Sequence, residues 1–325
     1  MSIHGSPSKP AILVVRLGAM GDILHTLPAV RALKLGYPEA RLTWVVEAKW
    51  EALLEGNPFV DRVLLLGRQS ISGLRSTYHA IRESAYRLAV DFQGLLKSAL
   101  VTAAARPDRV YGFAVGEVRE RAAAIFYGQR ISSSAVHVVD RNLELATAAG
   151  ARCDGRPCFS IPAGRPEGEL PAGAFVLASP LAGWAQKQWP LAHYRALAER
   201  LRSELGVPLV LNGAPGAPFG DIAPAVAHYS GLPGLIHATR AAAVVVGVDS
   251  GPLHLAAALE KPGAAIFGPT DPARNGPYGN SLRVLRSAHA VTTYKRGAAI
   301  DQSMESISPG EVFETLRTAL RDGCS

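Results

Sequence analysis

Residues 243–272 read AVVVGVDSGPLHLAAALEKPGAAIFGPTDP, and the order of runs in this stretch decides the fold. Residues 244–246 are a β-branched run, which is typical of a buried strand. The Asp-Ser-Gly turn that follows leads to Pro252, a residue that the first turn of a helix tolerates. Residues 253–259 then predict a short helix, and residues 264–267 predict the next strand. The stretch therefore predicts strand, loop, helix, strand and loop, the repeating unit of a parallel α/β sheet.

Both loops of this stretch leave the carboxyl ends of predicted strands, where an open parallel sheet binds its ligands. The N-terminus of the helix also offers unpaired N–H groups to a phosphate. Ser250 or Gly251 is the expected N-cap, and capping alone would explain Asp249 and Ser250 equally well. Capping does not explain His254, which lies in the first turn of the helix and could donate to a phosphate or ribose oxygen. The stretch is therefore a candidate phosphate site.

Length and composition favour a soluble protein with two α/β domains. The chain has 325 residues, which suits two domains of ordinary size. Its content of 48% hydrophobic and 19% charged residues is typical of parallel sheets that are apolar on both faces. The formal net charge of +7 and the isoelectric point of about 9.5 favour an anionic partner. Charge alone does not choose among a phosphorylated substrate, an acidic membrane surface and nucleic acid.

The cysteines and the apolar runs indicate a reducing compartment without a membrane span. Three cysteines, an odd number, argue against a disulfide framework, and their spacing is not that of a metal site. No signal peptide is expected in residues 1–10, which are polar, and no apolar run is long enough to span a bilayer. We therefore expect a cytoplasmic protein without a metal, and attachment to a membrane surface stays open.

The first half of the chain opens with another strand-to-helix loop. Residues 11–15 form an apolar strand, and the loop that follows contains Gly21 and Asp22. This loop lacks the G-x-G-x-x-G pattern of dinucleotide sites, so NAD binding is weakly supported. At the end of a strand, Asp22 would suit a helix cap or a general base about equally well. Further strands are expected at residues 42–46, 60–66, 88–92 and 110–113.

A second strand end in this half, residues 91–98, carries Gln93, Gly94 and Lys97. Ordinary turn chemistry explains Gly94 but does not explain Gln93 and Lys97 together. Upstream of it, five basic residues lie in a stretch of mixed loop and helix character, where a solvated surface is the simplest explanation. These residues are Arg68, Arg75, His79, Arg82 and Arg87.

The second half repeats the alternation after a linker rich in Gly, Pro and Arg at residues 153–173. Lys187 lies on a polar loop after the first strand of this half, where a flexible ammonium group could follow a phosphate during bond cleavage. A solvated loop lysine is the alternative. The remaining expected elements are strands at 175–178, 208–211 and 282–285, and a terminal helix at 309–322 capped by Ser308.

At four places the chain resembles the bacterial lipopolysaccharide heptosyltransferases of glycosyltransferase family 9, most of all type I. The similar segments are residues 20–22, 91–98, 187–190 and 249–272. The resemblance implies an α/β GT-B fold, with two Rossmann-like domains facing across a cleft and a C-terminal helix that can cross back to the first domain. We expect an acceptor-binding domain at 1–165 and a nucleotide-sugar-binding domain at 166–325. The implied activity is inverting, metal-independent transfer of heptose from ADP-heptose to the Kdo region of the lipopolysaccharide inner core.

The resemblance also implies roles for individual residues. The catalytic residues are Asp22, as general base, and Lys187, at the donor phosphates. The donor-binding residues are Asp249, Ser250, Gly251, His254, Gly268, Pro269 and Thr270. The acceptor-binding residues are Gly21, Gln93, Lys97 and Arg68. The implied protein is a monomer at the inner face of the inner membrane; its partners are the nucleotide sugar, as a co-substrate, and an anionic lipid-linked glycan, with no cofactor and no nucleic acid.

The sequence departs from the family pattern at two places, and two other classes of protein stay open as alternatives. Residues 17–19 supply no hydroxyl before the Met-Gly-Asp segment, and Asp221 is only the nearest counterpart of a family glutamate. A GT-B epimerase or hydrolase would need clustered carboxylates on the donor side, where Asp249 and Asp271 are the obvious pair. A basic nucleic-acid-binding protein would interleave aromatic with basic residues, whereas aromatics are 7% and scattered.

Overall fold

The computed structural model describes residues 10–67, 70–216, 219–293, 295 and 297–322. The chain divides into two compact units, Met1–Ser160 and Ile161–Ser325. The division falls inside the expected linker, slightly before residue 165. Each unit contains its own sheet and its own hydrophobic core.

The first unit is built on a six-stranded parallel sheet. Its strands are β1 (Ala11–Val15), β2 (Arg41–Val46), β3 (Arg62–Leu65), β4 (Tyr86–Asp91), β5 (Arg109–Phe113) and β6 (Gln129–Ile131). Its helices are α1 (Met20–Leu24), α2 (Leu27–Gly36), α3 (Ile71–Arg82), α4 (Leu96–Ala104) and α5 (Val138–Ala148). The strands run in the order β3-β2-β1-β4-β5-β6. This is the Rossmann order, in which the direction of winding reverses between β1 and β4.

The second unit repeats this topology. Its strands are β7 (Val176–Ser179), β8 (Leu209–Gly213), β9 (Val226–Tyr229), β10 (Val244–Val248), β11 (Gly263–Phe267) and β12 (Leu282–Arg286). Its helices are α6 (Leu191–Leu205), α7 (Leu232–Ala241), α8 (Gly251–Ala258), α9 (Pro272–Asn275), α10 (Gln302–Glu305) and α11 (Pro309–Asp322). The order β12-β11-β10-β7-β8-β9 is again all parallel, and the winding reverses between β7 and β10. The expectation of two Rossmann-like domains is confirmed.

The central strands form because their residues are apolar on both faces. Every residue of β1, β10 and β11 is buried, as expected for parallel strands covered by helices on each side. The quoted stretch folds as its runs predict: β10, a loop, α8 with Ser250 at the N-cap position, and β11. This arrangement brings the loops after β10 and β11 to the same edge of the sheet.

The edges of the sheets and the packing of the terminal helix add to the expected elements. The short edge strands β6 and β9 were not predicted, and most of their residues are exposed. Helix α11 packs against α6, β10 and β11 of its own unit, and a crossing of the terminal helix back to the first domain stays a prediction. Across the described ranges, every helix is too short or too polar to cross a bilayer.

Candidate active site

The second unit brings Lys187 and Asp249 together where its sheet reverses winding. Lys187 ends a short 3-10 turn after β7, and Asp249 directly follows β10. The Lys187 ammonium lies 2.9 Å from Asp249 Oδ2 and 4.9 Å from the centre of the Trp184 ring. The two side chains are only 15% and 9% exposed. Lys187 is therefore not a solvated loop lysine, and it lies at the strand ends where parallel sheets bind ligands.

Asp249 also holds His254, which lies in the first turn of α8. The Nε2 atom of His254 is 3.4 Å from Asp249 Oδ1, and its side chain is 7% exposed. Burial acts to raise the pKa of Asp249, but the hydrogen bond and charge of His254 and the charge of Lys187 outweigh it and hold the pKa well below its usual range. Asp249 is therefore ionised at neutral pH and keeps two potential phosphate donors side by side.

Two buried hydroxyl groups at neighbouring strand ends have no hydrogen-bond partner among the described residues. Ser250 is at the N-cap of α8, which Gly251 opens, yet its Oγ makes no capping bond. Thr270 follows β11 and is 3% exposed. A buried hydroxyl without a partner is unfavourable. A ligand that bonds to both hydroxyls would remove this penalty. Helix capping does not explain the Ser250 side chain, because its hydroxyl makes no capping bond.

The loop after β11 is held by packing and capping. A Cβ atom at Gly268 would lie 2.7 Å from the Met304 side chain, so the backbone there needs a glycine. The Pro269 carbonyl accepts a backbone N–H at 2.8 Å.

Asp271 caps α9, whereas Asp249 is paired with cations, so the two carboxylates are engaged separately and not with each other. In the described ranges, no group of three or more His, Cys, Asp or Glu side chains could hold a metal ion.

The end of β8 carries a polar cluster that sequence reasoning missed. The buried Asn212 Nδ2 lies 2.9 Å from His228 Nδ1 and 2.8 Å from Ser230 Oγ.

Asp221, the nearest counterpart of the family glutamate, is 71% exposed and lies 3.4 Å from Arg195 of α6. Asp221 is therefore in a surface ion pair.

In the first unit, Asp22 lies where the sheet reverses winding, directly after Gly21 in α1. Its Oδ2 accepts the Ala19 N–H at 3.2 Å and is 2.7 Å from the guanidinium of Arg16 and 3.9 Å from that of Arg119. Burial acts to raise the pKa of Asp22, but the charges of Arg16 and Arg119 outweigh it and lower the pKa. The carboxylate therefore supports the start of α1 and is also ionised, as a general base must be. Its side chain is 15% exposed.

Arg16, the partner of Asp22, was not among the expected site residues. It follows β1, is 6% exposed and donates a hydrogen bond to the Phe92 carbonyl beyond β4. The indole Nε1 of Trp44 donates to the Arg16 carbonyl at 3.1 Å. A signal for this residue exists in the sequence, because an arginine that directly ends an apolar strand is placed to be buried and needs an anionic partner.

Two other acceptor-site candidates follow β4: Gln93 lies in the turn after the strand and Lys97 lies in the first turn of α4. Gln93 is 8% exposed, and its Oε1 accepts the Leu17 N–H at 2.7 Å. Lys97 is 41% exposed and lies 3.3 Å from the Glu47 carboxylate, which follows β2. Arg68 lies outside the described residues. Gln93 thus supports the loop that leads to Asp22, and contact of these residues with an acceptor stays a prediction.

Two Rossmann-like units, one with the Lys187–Asp249 pair at a strand end and the other with the Asp22 carboxylate at a strand end, match a class of protein: the nucleotide-sugar glycosyltransferases of GT-B type. The family model described as glycosyltransferase family 9 (heptosyltransferase) matches residues 74–301. The chain therefore belongs to glycosyltransferase family 9 and is a glycosyltransferase.

Similar proteins in other bacteria are named heptosyltransferases. The chain is 29% identical over 300 residues to lipopolysaccharide heptosyltransferase 1 of Pseudomonas aeruginosa, covering 83% of this chain and 82% of the relative. It is 28% identical over 321 residues to lipopolysaccharide heptosyltransferase 1 of Escherichia coli K12, covering 91% and 99%. The similarity therefore extends over both units.

Solved structures show the same fold. Escherichia coli heptosyltransferase WaaC with ADP superimposes with a TM-score of 0.77 at 24% identity, covering 95% of this chain and 99% of that one. A family 9 glycosyltransferase from Veillonella parvula gives a TM-score of 0.81 at 18% identity, covering 97% and 98%. The two Rossmann-like units are therefore the architecture of known heptosyltransferases.

Proposed function

We propose that this glycosyltransferase moves heptose from ADP-heptose to the Kdo region of a lipopolysaccharide inner-core precursor, with inversion of the anomeric carbon. The observation that carries the proposal is the buried cluster of Lys187, Asp249 and His254 beside the Ser250 and Thr270 hydroxyls. The relatives named above and similar structures with ADP or ADP-2-deoxy-2-fluoro heptose support an ADP-heptose donor and a lipopolysaccharide acceptor.

In the proposed reaction, an acceptor hydroxyl attacks the anomeric carbon from the face opposite the diphosphate. Asp22 takes the hydroxyl proton while the new carbon–oxygen bond forms and the bond from the anomeric carbon to the phosphate oxygen breaks. ADP leaves with the bonding electrons. Lys187 and the N-terminus of α8, which begins at Gly251, stabilise the charge that develops on the departing phosphate. The ADP-sugar is a co-substrate in this scheme, and neither a cofactor nor a metal takes part.

The direct test is to incubate the pure protein with radiolabelled ADP-heptose and a deacylated Kdo-containing acceptor. The expected product is labelled acceptor together with ADP. Isomerised or hydrolysed ADP-sugar that forms equally well without acceptor would instead indicate a GT-B epimerase or hydrolase. No turnover of the sugar under any condition would contradict the proposal.

Lys187→Ala and His254→Ala are expected to weaken ADP binding by about 10- to 100-fold each, since a hydrogen bond to a charged group contributes about 1.5–3 kcal/mol. Calorimetry with ADP, with and without a chelator, measures the effect and tests the proposed absence of a metal. Lys261→Ala is the matched control, because its ammonium donates to the Arg240 carbonyl at 2.9 Å near the opposite end of β11. Full ADP affinity in both site variants would show that these side chains are structural.

We infer that the first domain meets the acceptor at an anionic membrane surface, on the basis of a basic and apolar face of α3. Ile71, Leu74 and Tyr78 are 79%, 48% and 43% exposed, and their spacing places them on one side of the helix. Arg75 and Arg82 share that side, with the Arg82 guanidinium 5.4 Å from the centre of the Tyr78 ring. A helix face of this composition favours the surface of an anionic bilayer.

The KM for the acceptor is expected to rise with ionic strength, because exposed charges are screened within about 10 Å at 0.1 M salt. In the double variant with Arg75→Gln and Arg82→Gln, the KM for the acceptor should be higher at low salt and should depend less on salt. The KM for the donor should stay unchanged. Arg109→Gln is the control, since Arg109 is an exposed arginine at the start of β5. An acceptor KM that ignores salt, or a neutral acceptor that works as well, would contradict the inference.

A further inference from the structure

The last residue of β4, Asp91, is a wholly buried carboxylate at the end of a central strand. Its oxygens accept hydrogen bonds from Gln93 N at 2.8 Å, Ser98 Oγ at 2.8 Å and Tyr127 Oη at 2.7 Å, and from Gly94 N at 3.4 Å. Burial nevertheless raises the pKa of Asp91. A buried carboxylate is unfavourable unless such bonds compensate it. Two of these bonds come from the backbone of the turn after β4, and the other two come from Ser98 of α4 and from Tyr127, so Asp91 ties this turn to its surroundings and holds it in place.

This turn reaches across to the loop that carries the proposed base. The Oε1 atom of Gln93 accepts the Leu17 N–H at 2.7 Å, and the Phe92 carbonyl accepts a hydrogen bond from the Arg16 guanidinium. Arg16 in turn lies 2.7 Å from Asp22 Oδ2. Since β1 and β4 are neighbours, a continuous series of contacts leads from the Asp91 carboxylate to the Asp22 carboxylate.

We propose that Asp91 is a positioning residue for Asp22. By holding the turn after β4, it fixes the Gln93 amide and the Phe92 carbonyl, which fix the Leu17 backbone and the Arg16 side chain around Asp22. Asp91 is 0% exposed, so it acts through the turn and not by contact with substrate. The inference rests on the proposed function, in which Asp22 is the general base.

Two variants test the positioning role. Asp91→Asn removes a carboxylate oxygen that accepts from the Ser98 and Tyr127 hydroxyls, and Gln93→Met leaves Asp91 in place but removes the acceptor for the Leu17 N–H. We expect each to lower kcat by about 10²-fold, because a displacement of about 1 Å in a reacting group can have that effect. The donor KM and the ADP affinity by calorimetry should stay within about 2-fold of wild type, well below the tenfold change that 1.4 kcal/mol produces.

Thr102→Val is the matched control, since its buried hydroxyl donates to the Ser98 carbonyl within α4 and not to the turn. It should lower Tm but leave kcat unchanged. A wild-type kcat in Gln93→Met, or a loss of kcat in Thr102→Val as large as in the test variants, overturns the proposal. If Asp91→Asn does not fold, Gln93→Met alone decides it. Failure of the base assignment itself is seen separately, as a wild-type rate in Asp22→Asn.

Discussion

Asp22→Asn is expected to lower kcat by at least about 10²-fold, because general-base catalysis contributes about 10²–10⁴-fold. Asparagine has nearly the same size, and its amide oxygen can still accept the Ala19 N–H that Asp22 now accepts at 3.2 Å. It cannot take the acceptor's proton. ADP affinity should be unchanged, because the proposed donor residues all lie in the second unit. A steady-state assay with radiolabelled donor gives kcat, and calorimetry gives the affinity for ADP.

The structure adds an expected loss of stability to this variant, because the buried Arg16 guanidinium loses its ionised partner. Asp61→Asn is a matched control. Its carboxylate lies 2.7 Å from Lys34 and accepts the Leu42 N–H at 2.7 Å, just before β3 in the same sheet. This control should also lower Tm but should keep the wild-type kcat. Near wild-type turnover in Asp22→Asn, or an equal loss in both variants, would remove Asp22 from the mechanism.

The central part of each sheet could be predicted because its signal is local. The β-branched run of β10, the proline at the start of α8 and the apolar run of β11 are each decided by neighbouring residues. The same holds for β1 and for the position of Asp22 at its carboxyl end. Parallel strands that are buried on both faces need continuous apolar runs, so they are easy to recognise in a sequence.

The edge strands and the ion pairs could not be predicted, because they depend on the order of the strands. The three residues of β6 include two polar ones, and an edge strand does not need an apolar run. Lys187 and Asp249 are 62 residues apart, and they meet only because β7 and β10 are neighbours in the sheet. The sequence and the family resemblance therefore suggested each side chain separately, Lys187 as catalytic and Asp249 as donor-binding, but did not predict their pairing.

The same limit explains why Arg16 was missed. Its guanidinium lies against Asp22, six positions along the chain, and donates to the Phe92 carbonyl, which reaches it only because β4 lies beside β1. The candidate site thus consists of residues that a sequence can suggest, held by partners that only the topology reveals.

Arg16→Met is expected to move the acid limb of the kcat/KM profile to higher pH. Burial acts to raise the pKa of Asp22, and Arg16 and the more distant Arg119 lower it. Without Arg16 the pKa of Asp22 rises, so the carboxylate becomes protonated, and inactive as a base, at a higher pH. Arg16→Lys keeps the positive charge and should leave the limb closer to its wild-type position. The pH profiles of the three proteins measure the shift.

The same variant should lose stability at neutral pH, because removing one member of a buried ion pair is unfavourable by about 3–5 kcal/mol. A folded-state pKa below the unfolded value of about 3.9 stabilises the protein above that pH, and this contribution disappears as the pH falls through the folded-state pKa. The difference in Tm between wild type and Arg16→Met should therefore be largest near neutral pH and shrink in acid. If the acid limb and this pH dependence of Tm both stay as in wild type, Arg16 does not control the ionisation of Asp22, and the base must be held by other groups.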